Sequence, residues 1–355
     1  MVVHASVASG AAGDLTAVPA AQAVGLTRDR SPRFQFRVPA IWRSAVACNP
    51  HAAAVAPRIL EWFRSLGCSE AEVQRASKFD AAGYVGIPFP RLSAGKTWTI
   101  GKYLSLWLLW DDVHVERLEN RWKIRGEHVL SGRRPTGMTR FDEGWWQLLR
   151  GFARARSPGW IHDLCAAMIE WNEAAVQEAV AMQRFRGRGR CPGFAWQLDM
   201  RIATIGMYAT VYLLEDCHGR ELPREFHADP AVLRMKVLSN KIVGLGNDIL
   251  SCGKDLVEGQ INLVSTLMTE AGLSGPDAVE RLIRMHDEAL REYDELAAGL
   301  ASRGAAVDRL ISRWVQDVRH ASLGFSLWEA QAPRYTAFKL VADGRVIEPG
   351  FTYTR

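Results

Sequence analysis

Residues 247–255 read Asn247-Asp248-Ile249-Leu250-Ser251-Cys252-Gly253-Lys254-Asp255, inside a run over 230–258 that otherwise has the pattern of an apolar helix. A helix turns about 100° per residue, so Asn247, Ser251, Lys254 and Asp255 fall on one stripe about 100° wide. An amide oxygen, a hydroxyl, a carboxylate and a cation share that face. Such oxygens suit a hard cation such as Mg²⁺, which keeps waters and takes further oxygens from a bound phosphate, and Lys254 would neutralise that phosphate. The alternative is an ordinary solvated stripe, so the rest of the chain has to discriminate.

A second segment, from Thr97 to about Arg117, is apolar on nearly every side, which predicts a helix buried in the middle of the fold. It ends in Trp107, Trp110, Asp111, Asp112, His114 and Glu116. Acids at the end of a buried aromatic helix are costly unless a metal or a partner compensates, or unless the helix simply emerges into water there. Asp112 and Glu116 are i, i+4 neighbours, and Asp111 lies one turn beyond Trp107 and about 100° round from Asp112.

Around these two segments the pattern stays helical. Further helices are expected over 52–66, 69–76, 140–156, 159–184, 194–216, 260–272, 276–303 and 306–332, with no alternating run that reads as a strand. Residues 83–92 read as a loop, and 34–50, broken by Pro39 and Pro50, as a segment laid over the surface or across an opening. Arg184, Arg186, Arg188 and Arg190 form a basic loop, either solvated or contributing to anion capture. The fold class predicted is an all-α single domain: a disordered tail over 1–33, the folded domain over 34–340 and a C-terminal tail over 341–355.

Composition narrows the function. At 355 residues and 48% hydrophobic the chain can bury a large core, and thirteen Trp must fill that core or line a cavity. The net charge of +5 is spread along the chain and makes no nucleic-acid footprint. Six cysteines without a C-x-x-C pair read as reduced thiols of a cytoplasmic protein. There is no H-E-x-x-H pair and no glycine-rich phosphate loop, which weakens zinc, ATP and NAD together. No stretch is long and apolar enough to predict a membrane span.

Two oxygen-bearing faces on two long helices, with aromatic residues deeper in the first, describe a site that holds a diphosphate at the mouth of an apolar pocket. Here the chain resembles a class I terpene synthase of the bacterial type. That family carries an aspartate-rich motif, here Asp111-Asp112-Val113-His114-Val115-Glu116, and an N-D-x-x-S-x-x-x-E motif, here Asn247 to Asp255 with Lys254 in its expected place. It also carries a diphosphate-sensing arginine 46 positions before the Asn, which is Arg201, and a C-terminal Arg-Tyr pair, here Arg334-Tyr335 preceded by Trp328. The resemblance covers about residues 35–340. Two departures stand out: the first motif has D-D-x-x-x-E spacing, and the second ends in Asp255 where Glu is usual, with Glu258 on the same stripe as a substitute.

The resemblance implies a class I helical bundle around an apolar cavity and an enzyme that ionises a prenyl diphosphate and cyclises the cation. Asp111, Asp112, Glu116, Asn247, Ser251 and Asp255 would hold three Mg²⁺ ions, with Mn²⁺ as a substitute, and Arg201, Lys254, Arg334 and Tyr335 would grip the diphosphate. Trp107 and Trp328, then Phe89, Tyr208 and Phe325, are candidates to face the carbocation; a role in core packing is the alternative for each. Thr204, Ile205 and Gly206 follow the sensor where a helix break is expected. His114 is the one imidazole near the motifs, with a supporting or surface role expected rather than that of a base.

Farnesyl diphosphate, giving a sesquiterpene hydrocarbon or alcohol, is the substrate expected from the family. Geranyl, methylated geranyl and C20 substrates are the alternatives, and D-D-x-x-x-E spacing also resembles synthases acting on methylated geranyl diphosphate. A chain-elongating prenyltransferase would need a second D-D-x-x-D motif, and a non-catalytic helical binding protein would have no use for ligands, sensor and Arg-Tyr pair together. A homodimer is expected only because it is common in the family.

Overall fold

The computed structural model describes residues 15–20, 22, 27–28, 35–42, 48–115, 122–188, 192–301, 308–342, 345–347 and 349–354. Three short strands come first, β1 (Thr16–Pro19), β2 (Thr27–Arg28) and β3 (Gln35–Pro39). The first helical group is α1 (Val55–Ser65), α2 (Glu70–Ala76), α3 (Ala81–Gly86) and α4 (Ala94–Trp110). Then follow α5 (Gly126–Ser131), α6 (Arg140–Phe152), α7 (Pro158–Arg188), α8 (Phe194–Thr204), α9 (Met207–His218) and α10 (Arg224–His227). The chain continues through α11 (Pro230–Glu258), α12 (Leu263–Ala271), α13 (Gly275–Ala301), α14 (Asp308–Glu329) and α15 (Pro333–Thr336) to β4 (Phe338–Ala342), β5 (Arg345–Ile347) and β6 (Gly350–Thr354). The fold is all-α with two small sheets, β1-β4-β5-β2 and β3-β6, as an appendage.

Local chemistry sets the helix ends. Ser69 and Glu72 form a reciprocal capping box at the start of α2, and Thr139 and Asp142 form another at α6. Helix α11 opens with the Asp229 side chain accepting from the Ala231 amide and Pro230 in its first turn, and it stops at Gly259 in a left-handed conformation.

Helix α4 is buried along most of its length, as its all-round apolar pattern predicts. Its Trp107 and Trp110 join Trp122, Trp145 and Trp171 in an aromatic cluster: Trp107 meets Trp171 at a centroid distance of 4.4 Å, and Trp122 meets Trp145 at 5.4 Å. Part of the heavy Trp content therefore fills the wall between α4, α6 and α7. Helix α11 is the other central element, packed against α8, α9, α13 and α14.

Four local readings need correction. Strands do occur: β1 pairs antiparallel with β4 (Thr16 opposite Val341), β2 runs parallel to β5, and β3 runs parallel to β6 (Gln35 opposite Gly350). These pairings lie inside the stretches expected as tails, over 1–33 and 341–355, and inside the segment 34–50. Each strand is five residues or shorter, and apart from the local β4–β5 pair (Leu340 opposite Ile347) the partners come from opposite ends of the chain, beyond the reach of local periodicity. Residues 83–86 of the expected loop belong instead to α3 (Ala81–Gly86), opened by the Asp80 side chain accepting from the Gly83 amide. Helix α7 continues to Arg188, since arginine is a good helix former that outweighs the interleaved glycine; Arg190 lies outside the described residues. The described cysteines, 48, 68, 165, 217 and 252, are free thiols. No helix among the described residues is long and apolar enough to cross a membrane.

Candidate active site

A cavity of about 210 Å³ opens between α4, α7, the α8–α9 junction, α11 and α14. That is below the common size of ligand pockets, about 300–1,000 Å³. Its deep wall is apolar, with Leu104, Trp107, Leu108, Ala179, Met207, Val243, Phe325 and Trp328. Its mouth is charged.

At the end of α4 the helix widens into a π-turn, Asp111–Val115. Such turns are rare and gather at functional sites. The chain here carries both Asp111 and Asp112 into the lining, although regular helical geometry puts them about 100° apart. Asp112 accepts a two-pronged contact from Arg334, Nη2 to Oδ1 at 3.2 Å and Nη1 to Oδ2 at 3.3 Å, and Arg75 stands 3.7 Å away. Glu116 lies outside the described residues, as does the His114 side chain.

On the opposite wall Asn247, Ser251, Lys254 and Asp255 all line the cavity from α11, as their spacing predicts. Ser251 Oγ donates to Asp255 Oδ2 at 2.6 Å, and Asn262 Nδ2 donates to the same oxygen at 2.8 Å. Lys254 Nζ lies 3.4 Å from Asp255 Oδ1 and 2.9 Å from Glu258 Oε2. Glu258 is half exposed and does not line the cavity, whereas Asp255 does. Burial pulls the Lys254 ammonium down, but Asp255 and Glu258 outweigh it and hold the group above its ordinary range.

Arg201 sits in the last turn of α8 with Nε 2.7 Å from Asp248 Oδ1 and Nη1 3.8 Å from Glu178 Oε1. Burial opposes its charge, yet the carboxylates of Asp248 and Glu178 more than compensate. Burial also pushes the Asp248 carboxyl up to about 6 against the pull of Arg201. Three residues beyond Arg201, after Thr204, the helix breaks. Gly206 takes φ 93°, a value that favours glycine, and a Cβ there would lie 2.9 Å from the Trp107 ring. The break is held by Trp171 Nε1 donating to the Thr204 carbonyl at 2.6 Å and the Met207 amide donating to Asn240 Oδ1 at 3.1 Å. Thr204, Ile205 and Gly206 all line the cavity.

Trp328 anchors the fourth wall. Its Nε1 donates to the Phe79 carbonyl at 3.1 Å, and its ring stacks on Tyr84 at 4.0 Å. Tyr335 meets Trp328 edge-on at 5.7 Å, and burial pushes its hydroxyl up to about 12. Trp107 and Phe325 also line the chamber; Phe89 and Tyr208 do not. Phe89 packs edge-on behind Phe325 at 6.0 Å and serves the core there. Tyr208, one residue past the break, is turned by the helix away from the chamber that Met207 lines.

Among the lining residues that no sequence motif marks are Tyr84, Glu178 and Glu329. Glu329 follows Trp328 directly, and burial pushes its carboxyl up to about 8 against a hydrogen bond from Asn247 and the charge of Arg334. None of the three has a sequence signal, because each belongs to no motif and is recruited by packing alone.

The donor set fits a hard divalent cation with an anion beside it. Asn247, Ser251 and Asp255 supply one carboxylate and two neutral oxygens, which leaves other positions to water and phosphate. Among the described residues no group of three His, Cys, Asp or Glu side chains that could hold a metal ion occurs. On the anion side, Arg334 Nε is buried without a hydrogen-bond partner although its other nitrogens meet Asp112. An orphaned buried guanidinium donor is costly and calls for an acceptor.

The chain is similar to known proteins. Residues 102–292 match the profile of terpene synthase family 2, C-terminal metal binding. The chain is 28% identical over 315 residues to 10-epi-cubebol synthase of Sorangium cellulosum, covering 82% of this chain and 95% of that protein. It is 26% identical over 148 residues to terpene cyclase 4 of Gibberella fujikuroi, a match spanning 42% of this chain and only 40% of that one. The crystal structure of linalool/nerolidol synthase from Streptomyces clavuligerus in complex with 2-fluorogeranyl diphosphate shares the fold, with a TM-score of 0.70 at 18% identity over 84% of this chain and 100% of that chain.

Proposed function

The chain belongs to terpene synthase family 2, and from that membership we propose that it is a Mg²⁺-dependent cyclase that ionises farnesyl diphosphate and closes the resulting cation to a sesquiterpene. One observation carries the reading: four diphosphate-binding candidates (Arg201, Lys254, Arg334 and Tyr335) and five oxygen donors (Asp111, Asp112, Asn247, Ser251 and Asp255) converge on the mouth of one aromatic chamber.

The two acidic faces would hold the divalent ions, three by analogy with the family and with Mn²⁺ as a substitute; when bound, such ions act as Lewis acids that stabilise the departing diphosphate. Arg334 and Arg201 offer planar forks, and Lys254 a point charge, for charge-assisted bonds to the same anion. The Tyr335 hydroxyl, kept protonated by burial, donates one more. Deeper in, Trp107, Phe325 and Trp328 present faces and edges to the hydrocarbon chain, and an aromatic face attracts a cation. The apolar wall excludes the water that would quench it.

Geranyl diphosphate is the second reading, favoured by the geranyl analogue in the related linalool/nerolidol synthase structure. The test is incubation with geranyl, farnesyl and geranylgeranyl diphosphates, with and without Mg²⁺, followed by gas chromatography with mass detection. The expected product is a cyclic C15 hydrocarbon or alcohol formed only from farnesyl diphosphate with Mg²⁺. Turnover of the C10 substrate alone would support the second reading, and no turnover of any substrate would overturn both.

A further inference from the structure

Glu329 ends α14 and lines the cavity, yet it belongs to neither acidic motif. Its Oε1 accepts the Asn247 Nδ2 hydrogen at 2.8 Å, and its Oε2 is buried with no hydrogen-bond partner. The two ends of an amide are chemically opposite, the nitrogen only donating and the oxygen only accepting. A carboxylate oxygen held against Asn247 therefore selects the nitrogen end. The oxygen, the only atom of that side chain able to bind a cation, is left out of that contact, on a residue that lines the same cavity as Ser251 and Asp255. As long as Oε1 carries no proton, turning the amide over would set two acceptors against each other at hydrogen-bond distance.

The contact is also held at a fixed span. A Cβ on Gly246 would lie 2.7 Å from Ser326 Oγ, so α11 and α14 approach closely one residue before Asn247 and one turn before Glu329. Neither helix has room to slide without breaking that approach.

We propose that Glu329 is a positioning residue that locks the Asn247 amide with its oxygen toward the divalent-cation site. The inference rests on the metal-dependent reading above. Partners that orient a metal ligand typically change metal affinity by about 10–100-fold when removed. No hydrogen bond to Asn247 Nδ2 other than that of Glu329 is found among the described residues, so its removal frees the amide to rotate.

The test is Mn²⁺ binding in the presence of inorganic diphosphate, followed by the electron paramagnetic resonance signal of the free ion. Glu329→Gln keeps an acceptor oxygen and is expected to bind Mn²⁺ within about twofold of the wild type, whereas Glu329→Ala and Glu329→Asp, which remove or withdraw the acceptor, weaken it about 10–100-fold. In an Asn247→Ala background, Glu329→Ala is expected to add no further loss. A purely structural role would lower the melting temperature of these variants and leave Mn²⁺ affinity where it was. Wild-type affinity in both Glu329→Ala and Glu329→Asp, or equal losses in Glu329→Gln and Glu329→Ala, overturns the inference; should Glu329→Ala not fold, the Gln and Asp variants decide it. Failure of the wild type itself to bind Mn²⁺ with diphosphate would instead overturn the functional reading.

Discussion

Replacing Gly206 with alanine tests the helix break and the chamber wall in one step. The residue sits at φ 93° and ψ 2°, where a side chain costs about 1–3 kcal/mol. The new methyl would also meet the Trp107 ring at 2.9 Å. That ring cannot retreat, because Trp171 packs on it at 4.4 Å, Tyr103 at 5.7 Å and Trp145 at 6.3 Å. Overpacking of a well-filled core adds about 1–3 kcal/mol, so the loss should come to about 2–6 kcal/mol, a large part of the stability of a typical domain. Urea unfolding followed by far-ultraviolet circular dichroism measures it as a fall in midpoint at constant slope. Gly151→Ala is the matched control: it is helical, with nothing within 4 Å of the added methyl, and should gain about 0.5–1 kcal/mol. A loss below about 1 kcal/mol in Gly206→Ala would show that the break or the ring relaxes freely, refuting the claim that they define the wall.

Asn247→Ala and Asp111→Ala should each lower turnover at least about a hundredfold, the several kcal/mol expected of a weakened metal site, with circular dichroism unchanged; near-normal Mg²⁺-dependent turnover in both would mean that other residues hold the ions. Away from the site, burial raises the Asp317 carboxyl, but a hydrogen bond from His218 and the charge of Arg91, at 2.5 Å, outweigh it and hold the group below its ordinary range. Such a carboxylate contributes stability above its unfolded value of about 3.8 and loses it as pH falls through the lower folded value. Asp317→Asn should therefore cost about 1–3 kcal/mol near neutral pH and make the fall in stability at acid pH shallower; an unchanged acid limb in thermal melts at pH 7 down to pH 3 would contradict this.

What the sequence revealed and what it hid follow from the range of the signals. Asn247, Ser251, Lys254 and Asp255 were legible because helical periodicity alone stacks them. The long helices were legible because each carries its apolar pattern within itself. The π-turn at Asp111 was hidden, since a widened turn leaves no mark in residue type, although the motif itself marked Asp111 and Asp112 for one site. Glu329 and Tyr84 were hidden because only the packing of α14 and α3 brings them to the site. The terminal strands were hidden because β3 and β6 are five residues each and meet from opposite ends of the chain.

The mouth of the chamber is already neutralised, which constrains how an anion can enter. Arg334 is forked onto Asp112, Lys254 bridges Asp255 and Glu258, and Arg201 leans on Asp248. The side chains of Asp112 and Asp255 are only 10% and 9% exposed. A diphosphate arriving alone would draw Arg334 and Lys254 away, leaving Asp112 with Arg75 alone and Asp255 with the neutral donors Ser251 and Asn262; a buried carboxylate stripped of its pairing cation costs up to about 3–5 kcal/mol. A divalent cation arriving with it would give them a new partner and remove that cost. On the proposed reading, anion and cation therefore bind together, and Mg²⁺ should tighten the affinity for inorganic diphosphate at least about a hundredfold, the equivalent of roughly 3 kcal/mol. Calorimetric titration of diphosphate in Mg²⁺ and in a chelator measures the difference directly. Equal affinities would mean that Arg334 and Lys254 leave their carboxylates without penalty, and the coupling argued from their pairing would be wrong.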